Sequence, residues 1–364
     1  MEKELRLMKG NEAIAESAIR AGVDGYFGYP ITPQSEVIEY LMAEKPWERT
    51  GMVVLQAESE VAAINMIYGG AACGKRVMTS SSSPGISLKQ EGLTYIAGAE
   101  LPCLVMNCVR GGPGLGTIQP AQSDYFQATK GGGHGDYRLI VLAPASVQEM
   151  SDFVELGFDL AFKYRNPVMI LADGIIGQMM EKVELKASRP RRTEEEIIKE
   201  CPWATTGKPT TRSRNIITSL DLVAANQEKF NQKLQAKYAE IRKKEVRVEC
   251  IKCEDAEYVL VAYGCSARIC MKAVELLRAK GIKAGLVRLI TLFPYPSETL
   301  YKLAVEQKVK AFLAVELSAG QMVEDVELSV KNHAKVMHFG RMGGMLPSPE
   351  EIVEVVEQKI IGGK

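Results

Sequence analysis

Short apolar runs alternate with amphipathic, Ala- and Gly-rich segments along the first half of the chain. That rhythm predicts a parallel sheet covered by helices on both faces. Apolar residues at helical spacing from Asn11 to Ala21 stop at Gly22, as expected of a helix with a glycine at its C-terminal end. Strands are predicted over Asp24–Tyr29, Met52–Gln56, Arg76–Thr79, Cys103–Val109, Arg138–Leu142 and Val168–Leu171. Helices are predicted from Pro33 through Ala43 and over Glu60–Ala72, Ser87–Gly98 and Ser146–Lys163. A long glycine-rich loop separates the fourth and fifth strands. Together these elements describe one doubly wound α/β domain over residues 1–185.

The pattern changes over residues 186–250, where Lys and Arg are frequent and a helical run near Leu222–Lys244 carries few large apolar residues. This stretch reads as a charged, partly helical connector. Alternation resumes with strands at Tyr258–Tyr263, Ala284–Leu289 and Ala311–Val315, and with helices at Ala267–Lys280 and from Gln321. Residues 251–364 form a second, smaller α/β domain. A chain of 364 residues exceeds the usual span of one core, so two domains agree with its length.

Composition narrows the function classes. Lys and Arg number 45 and so do Asp and Glu, which disfavours a polyanion-binding basic protein. No apolar leader or bilayer-length run is expected, and the protein is read as cytoplasmic, with neither membrane nor nucleic acid as a partner. Eight cysteines are too dilute for a disulfide scaffold and read mostly as buried free thiols. Cys250 and Cys253 have CxxC spacing, with Cys265 and Cys270 following, which is a weak signal for a four-thiolate site.

Four segments at strand-to-helix junctions carry candidate chemistry, since open α/β sheets bind ligands at the carboxyl ends of their strands. In Tyr29-Pro-Ile-Thr-Pro33 two prolines flank Thr32, so its hydroxyl suits a carboxylate; the plainer reading is a Pro-bounded turn with Thr32 as a helix cap. Glu60 opens an Ala- and Gly-rich helix whose small residues permit another subunit to approach. A carboxylic acid desolvated by that partner could donate to a ring nitrogen, whereas a Glu in the first turn also favours the helix dipole in water. Thr79-Ser-Ser-Ser-Ser-Pro-Gly-Ile-Ser87 resembles a polar cradle but lacks the Lys and glycine spacing of a P-loop. Arg110 leaves a strand into Gly111-Gly-Pro-Gly-Leu-Gly116, where a bidentate grip on a carboxylate is plausible. His134 in the later Gly131-Gly-Gly-His-Gly-Asp136 reads as an incidental loop residue more readily than as an acid or base. No pattern of zinc, serine-hydrolase or dinucleotide chemistry is present.

These segments, in this order, resemble the alpha subunits of the 2-oxoacid:ferredoxin oxidoreductases, and the likeness covers essentially the whole chain. Tyr29-Pro-Ile-Thr-Pro33 and Glu58-Ser-Glu-Val-Ala-Ala63 carry it most specifically. Gly264-Cys-Ser-Ala-Arg268, Leu289-Ile-Thr-Leu-Phe-Pro294 and Val315-Glu316 with Gly320-Gln321 add to it. The resemblance implies a thiamine-diphosphate pyrimidine-type domain followed by a transketolase C-terminal-like domain. The glycine loop after Arg110 is similar to the 2-ketoisovalerate branch and unlike the Pro-Ser-Thr-Gly form of the 2-oxoglutarate branch. The implied reaction is oxidative decarboxylation of a branched-chain 2-oxoacid to acyl-CoA with electrons passed to ferredoxin. Alternatives are the same complex acting on 2-oxoglutarate or pyruvate, and a non-catalytic assembly subunit.

By the same resemblance Glu60 would hydrogen-bond the pyrimidine N1′, with Tyr29, Pro30 and Ile31 beside the cofactor, while Thr32 and Arg110 would hold the substrate carboxylate. The Gly-Asp-Gly segment that normally holds the diphosphate through a metal has no good match, Gly135-Asp136-Tyr137 and Asp173-Gly174 lacking its context. Ferredoxin-type cysteine runs are also missing. The implied arrangement therefore shares thiamine diphosphate with a beta subunit and places Mg2+ and iron-sulfur clusters on partner subunits, with no metal on this chain.

Overall fold

The computed structural model describes residues 4–208, 210 and 212–362. Its strands are β1 (Glu4–Lys9), β2 (Gly25–Gly28), β3 (Val53–Gln56), β4 (Val77–Ser81), β5 (Leu104–Val109), β6 (Ile140–Leu142) and β7 (Val168–Asp173). They continue with β8 (Met180–Leu185), β9 (Val248–Ile251), β10 (Tyr258–Ala262), β11 (Ala284–Leu289), β12 (Thr291–Phe293), β13 (Ala311–Glu316) and β14 (Lys335–Gly340). A seven-stranded sheet runs β12-β6-β7-β5-β4-β2-β3, and every pairing in it is parallel except β12 with β6. A five-stranded sheet runs β14-β13-β10-β11-β9, with only β9 antiparallel. β1 and β8 form a separate antiparallel ribbon.

The central strands β4, β5 and β7 are buried along their whole length. This is why β5 and β7 read as mainly apolar runs without alternation, while β4 turns polar from Thr79 onward as it approaches the carboxyl edge. Helices Gly10–Arg20 and Val147–Tyr164 pack together, and so do Glu60–Ala72 and Ser83–Gly98. The helix at Glu60–Ala72 matches the sequence expectation at both ends, and Ala284–Leu289 likewise. The helix expected from Ser87 starts four residues earlier, at Ser83, because Pro84 sits in its first turn, where a missing N–H costs nothing.

Two strand pairings and the docking of one helix were not expected. β12 leaves the second half of the chain to become an edge strand of the first sheet, so the two sheets share a segment. β1 and β8 are joined across more than 170 residues, a separation that local periodicity does not record. The helix Ala224–Lys244 buries Leu234, Tyr238 and Ile241, a narrow stripe at i, i+4 and i+7 that docks an otherwise polar helix. Lys233 and Lys237 on that helix pair with Glu100. Among the described residues no helix is long and apolar enough to cross a membrane.

The second sheet is fastened to the first through buried polar groups. Asp173, at the end of β7, accepts from the backbone N–H of Ile175, Ile176 and Cys265. Gln122 donates to the Tyr263 carbonyl at 2.9 Å, accepts from Ser266 Oγ at 2.9 Å and accepts from Leu317 N at 3.0 Å. Glu316, fully buried, accepts from Ser318 Oγ and from the N–H groups of Gln321, Met322 and Val323, and so holds the turn from which Gln321 crosses to the Ser123 carbonyl and the Phe126 N–H.

Candidate active site

Because β5, β4, β2 and β3 are neighbours, their carboxyl ends deliver the four candidate segments side by side. The turn after β2 is pinned from below. Gln34, fully buried, donates to the Tyr29 carbonyl at 3.3 Å and accepts from Ser80 Oγ, which shares a 2.6 Å hydrogen bond with Tyr26 Oη. Asn11 Nδ2 and Gln178 Nε2 both donate to the Pro33 carbonyl, at 2.7 and 2.8 Å. The Thr32-Pro33 bond is cis. Tyr29 and Thr32 are exposed at the top of this support, with Pro30 and Ile31 half-buried. The helix begins only at Ser35, with Gln34 at the cap position, so Thr32 does not serve as its cap.

Arg110 lies beside this turn, 8% exposed. Its Nη1 donates to the Thr32 carbonyl at 3.0 Å and its Nη2 to the Leu115 carbonyl at 3.2 Å, while Nε is buried without a partner. The structure thus brings Thr32 and Arg110 together, but through the backbone oxygen of Thr32 rather than its hydroxyl. Ser83 Oγ clamps the strand end, accepting from Arg110 N and donating to Arg110 O.

Glu60 is the first residue of its helix, after Ser59, whose side chain accepts from Ala62 N at 3.2 Å. The carboxylate is 6% exposed and accepts no hydrogen bond among the described residues. A β-carbon on Gly85 would collide with both Glu60 Oε1 and Ser81 Oγ, so the acid rests on the bare backbone of the neighbouring helix. The sequence predicts burial by a second polypeptide; Glu60 is already buried within this chain, where glycine at 85 lets it lie against the helix Ser83–Gly98. Ser81 Oγ and Ser82 Oγ are buried here without partners.

Two ionisable residues of the site escaped the sequence reading. Lys89 is fully buried and donates to Thr79 Oγ1 at 3.1 Å. Burial pushes its ammonium down to about 8, against the opposing pull of the Glu60 charge. The signal was available, because Ile86, Lys89, Leu93 and Ile96 follow one another at helical spacing on the buried face. Asp124 lines a cavity of about 660 Å3 with Ser83, Gly112–Gly114, Gln321 and Gly343. Burial raises its carboxyl above the usual range, opposed by hydrogen bonds from Asn107 Nδ2 and the Ser83 side chain.

Other candidates lie elsewhere. His134 is exposed, its N–H donating to Thr94 and its ring edge-on to Tyr95. Asp136 is exposed and Asp173 is committed to the junction between the sheets. Cys265 and Cys270 are buried in the helix Gly264–Ala279, and among the described residues no three His, Cys, Asp or Glu side chains are placed to hold a metal ion.

With this geometry in view, the comparisons with known proteins align closely. Residues 16–249 match the family model described as pyruvate flavodoxin/ferredoxin oxidoreductase, thiamine diphosphate binding, and residues 256–352 match pyruvate:ferredoxin oxidoreductase core domain II. The chain is 49% identical over 356 residues to the ketoisovalerate oxidoreductase subunit VorB of Methanothermobacter marburgensis, covering 97% of each. It is 36% identical to the 2-oxoglutarate synthase subunit KorA of Methanocaldococcus jannaschii, covering 97% of this chain and 99% of that one. The 2-oxoglutarate:ferredoxin oxidoreductase of Magnetococcus marinus, solved with 2-oxoglutarate, coenzyme A and succinyl-CoA, superposes with a TM-score of 0.83 at 27% identity, over 98% of this chain and 66% of that longer one. A split-gene transketolase shares the fold at a TM-score of 0.60 and 14% identity.

Proposed function

Because this chain belongs to the 2-oxoacid:ferredoxin oxidoreductases, we propose that it is the alpha subunit of a cytoplasmic complex that oxidatively decarboxylates a branched-chain 2-oxoacid, 2-ketoisovalerate foremost, to its acyl-CoA and reduces ferredoxin. The observation that carries this reading is the Glu60 carboxylate, buried without a hydrogen-bond donor at the carboxyl edge of the same parallel sheet whose strand β5 ends in an arginine with donors to spare.

The residues fit the pyrimidine half of thiamine diphosphate. Glu60 is an acceptor, or a donor when protonated, held against the bare backbone of Gly85, and Ser81 and Ser82 bring unmatched hydroxyls. When bound, that cofactor supplies a nucleophilic carbon and an electron sink. Glu60 would share a proton with the pyrimidine N1′ in a site where water is largely excluded. Tyr29, Pro30 and Ile31 would form a rigid backbone wall, stiffened by Gln34 and Ser80 underneath. Arg110 Nη1 is held on the Thr32 carbonyl, so its Nε–H and remaining N–H groups would meet a carboxylate in a fixed orientation, with the Thr32 hydroxyl alongside.

The diphosphate and its Mg2+ are assigned to a beta subunit, because the Asp-Gly pair nearest to the required motif spends its carboxylate on the sheet junction. Iron-sulfur clusters are assigned to further subunits, which complete a path to ferredoxin. Val53 and Leu55 on the edge strand β3 and Val61 beside Glu60 are exposed apolar side chains that a partner would cover.

The test is reconstitution with the partner subunits, comparing 2-ketoisovalerate, 2-oxoglutarate and pyruvate, and repeating the assay with Glu60→Ala. An assembled Glu60→Ala complex that decarboxylates at a near-normal rate would overturn the catalytic role. A higher kcat/KM for 2-oxoglutarate or pyruvate would overturn the substrate assignment alone.

A further inference from the structure

The CxxC pair that the catalytic reading leaves unused has a definite geometry. Cys250 is exposed on β9, the edge strand of the second sheet, and Cys253 is buried directly after it. Lys252 between them adopts a left-handed conformation, φ 54°, which turns the chain back and sets the exposed Cys250 and the buried Cys253 on the two sides of one tight turn. The turn is held in place. Arg278 donates to the Lys252 carbonyl at 2.8 Å and to Asp255 at 2.6 Å, and Cys253 Sγ lies 3.3 Å from the Leu286 carbonyl oxygen. A β-carbon on Gly285 would fall 2.7 Å from the Lys252 carbonyl oxygen, so glycine there lets the turn lie against β11.

The two sulfurs are chemically unequal. Hydrogen bonding from Cys253 lowers Cys250 to about 7, despite partial burial and the nearby Glu254 and Glu249 charges. Cys253 is driven upward by the same hydrogen bond and by burial. Cys103, Cys108, Cys265 and Cys270 are all fully buried and raised by desolvation, which keeps them as inert thiols.

We propose that Cys250 and Cys253 form a redox-active dithiol, in which the exposed Cys250 sulfur exchanges with low-molecular-weight disulfides and the buried Cys253 resolves the adduct. The Cys250 thiolate attacks one sulfur of the disulfide RSSR, forming a mixed disulfide and releasing RS−, which takes up a proton. The Cys253 sulfur then attacks Cys250, giving its proton to the second departing RS−. Two protein thiols are oxidised to one disulfide while RSSR is reduced to two RSH. The site is independent of the function assigned to Glu60 and Arg110, and its chemistry requires neither cofactor nor partner subunit.

The test uses the full-length chain in its assembled complex, exposed anaerobically to glutathione disulfide at neutral pH, acid-quenched and mapped by peptide mass. Cys73, a half-buried free thiol of the same chain, is the internal reference. With its sulfur open to solvent and its thiol held below the usual range, Cys250 should react with glutathione disulfide roughly five- to tenfold faster than Cys73. The peptide bearing Cys250 and Cys253 should lose two hydrogens, and Cys253→Ser should stop at a persistent glutathione adduct on Cys250. Cys250→Ser should leave Cys253 reduced. Equal reactivity of Cys250 and Cys73, or a parent chain that accumulates the mixed disulfide without closing the ring, would overturn the proposal.

Discussion

Two polar regions of the molecule are buried to a similar degree and finished in opposite ways. At the junction between the sheets, Gln122, Asp173 and Glu316 are buried, and each carboxylate or amide is matched by donors and acceptors from the chain itself. At the carboxyl edge of the first sheet, Glu60 accepts no hydrogen bond among the described residues, Ser81 and Ser82 have unmatched hydroxyls, and Arg110 keeps an unmatched Nε. Leaving a buried polar group unmatched costs about 1–3 kcal/mol. A fold that closes one region completely and leaves the other open directs its unmatched groups at something outside the chain. The junction ties the chain to itself; under the proposed function the edge meets a ligand.

The largest expected effect breaks the open side. Glu60→Gln in the assembled complex should lower decarboxylation by roughly 10²–10⁴-fold, the usual worth of a positioned acid or base, with almost no shift in the unfolding midpoint. Steady-state rates alongside thermal unfolding measure both. A large stability loss with intact turnover would make the two regions alike.

The closed side should respond in the other sense. Gln122→Ala removes the partners of the Tyr263 carbonyl, Ser266 Oγ and Leu317 N, and should destabilise the chain by about 3–5 kcal/mol in denaturant unfolding. A loss under ~1 kcal/mol would show that the junction is not the fastening it looks to be.

Lys89 sharpens the comparison through pH. Its folded-state pKa lies near 8, below that of the unfolded chain, so the unfolded state binds more protons between about pH 8 and 10.5. Stability should therefore rise with pH through that window, by on the order of 3 kcal/mol, and the burial penalty is complete below it. Lys89→Met should flatten the rise and stabilise the chain at pH 7, as read from urea midpoints across pH 7–10. An unchanged slope would mean that Lys89 does not titrate there.

The smallest effect is the most discriminating. Ser81→Ala deletes a hydroxyl that has no partner and should change stability by less than ~0.5 kcal/mol, whereas Ser266→Ala deletes one bonded to Gln122 and should cost about 1–2 kcal/mol. Equal losses for both serines, measured by unfolding, would erase the distinction.

Much of the site was legible because its parts are local. A strand end, a proline-bounded turn and a glutamate opening a helix are written in consecutive residues, and Tyr29–Thr32, Glu60 and Arg110 emerge at the same edge of one sheet, after β2, β3 and β5. Lys89 was missed although its spacing on the helix placed it with Ile86 and Leu93, because a lysine on an apolar face is ordinarily discounted. Asp124 had no such signal; its hydrogen-bond partners Asn107 and Ser83 lie on other elements.

The sequence by itself determined the alternation of strands and helices and the order of the segments at their ends, since periodicity and Gly or Pro punctuation act over a few residues. Only the tertiary structure decided that β12 would join the first sheet, that Gly85 would let Glu60 lie on a neighbouring helix, and that Arg110 would settle on the Thr32 carbonyl. Those outcomes depend on which distant surfaces meet. Packing and hydrogen-bond satisfaction settle that across the whole fold, and no local period of the chain encodes it.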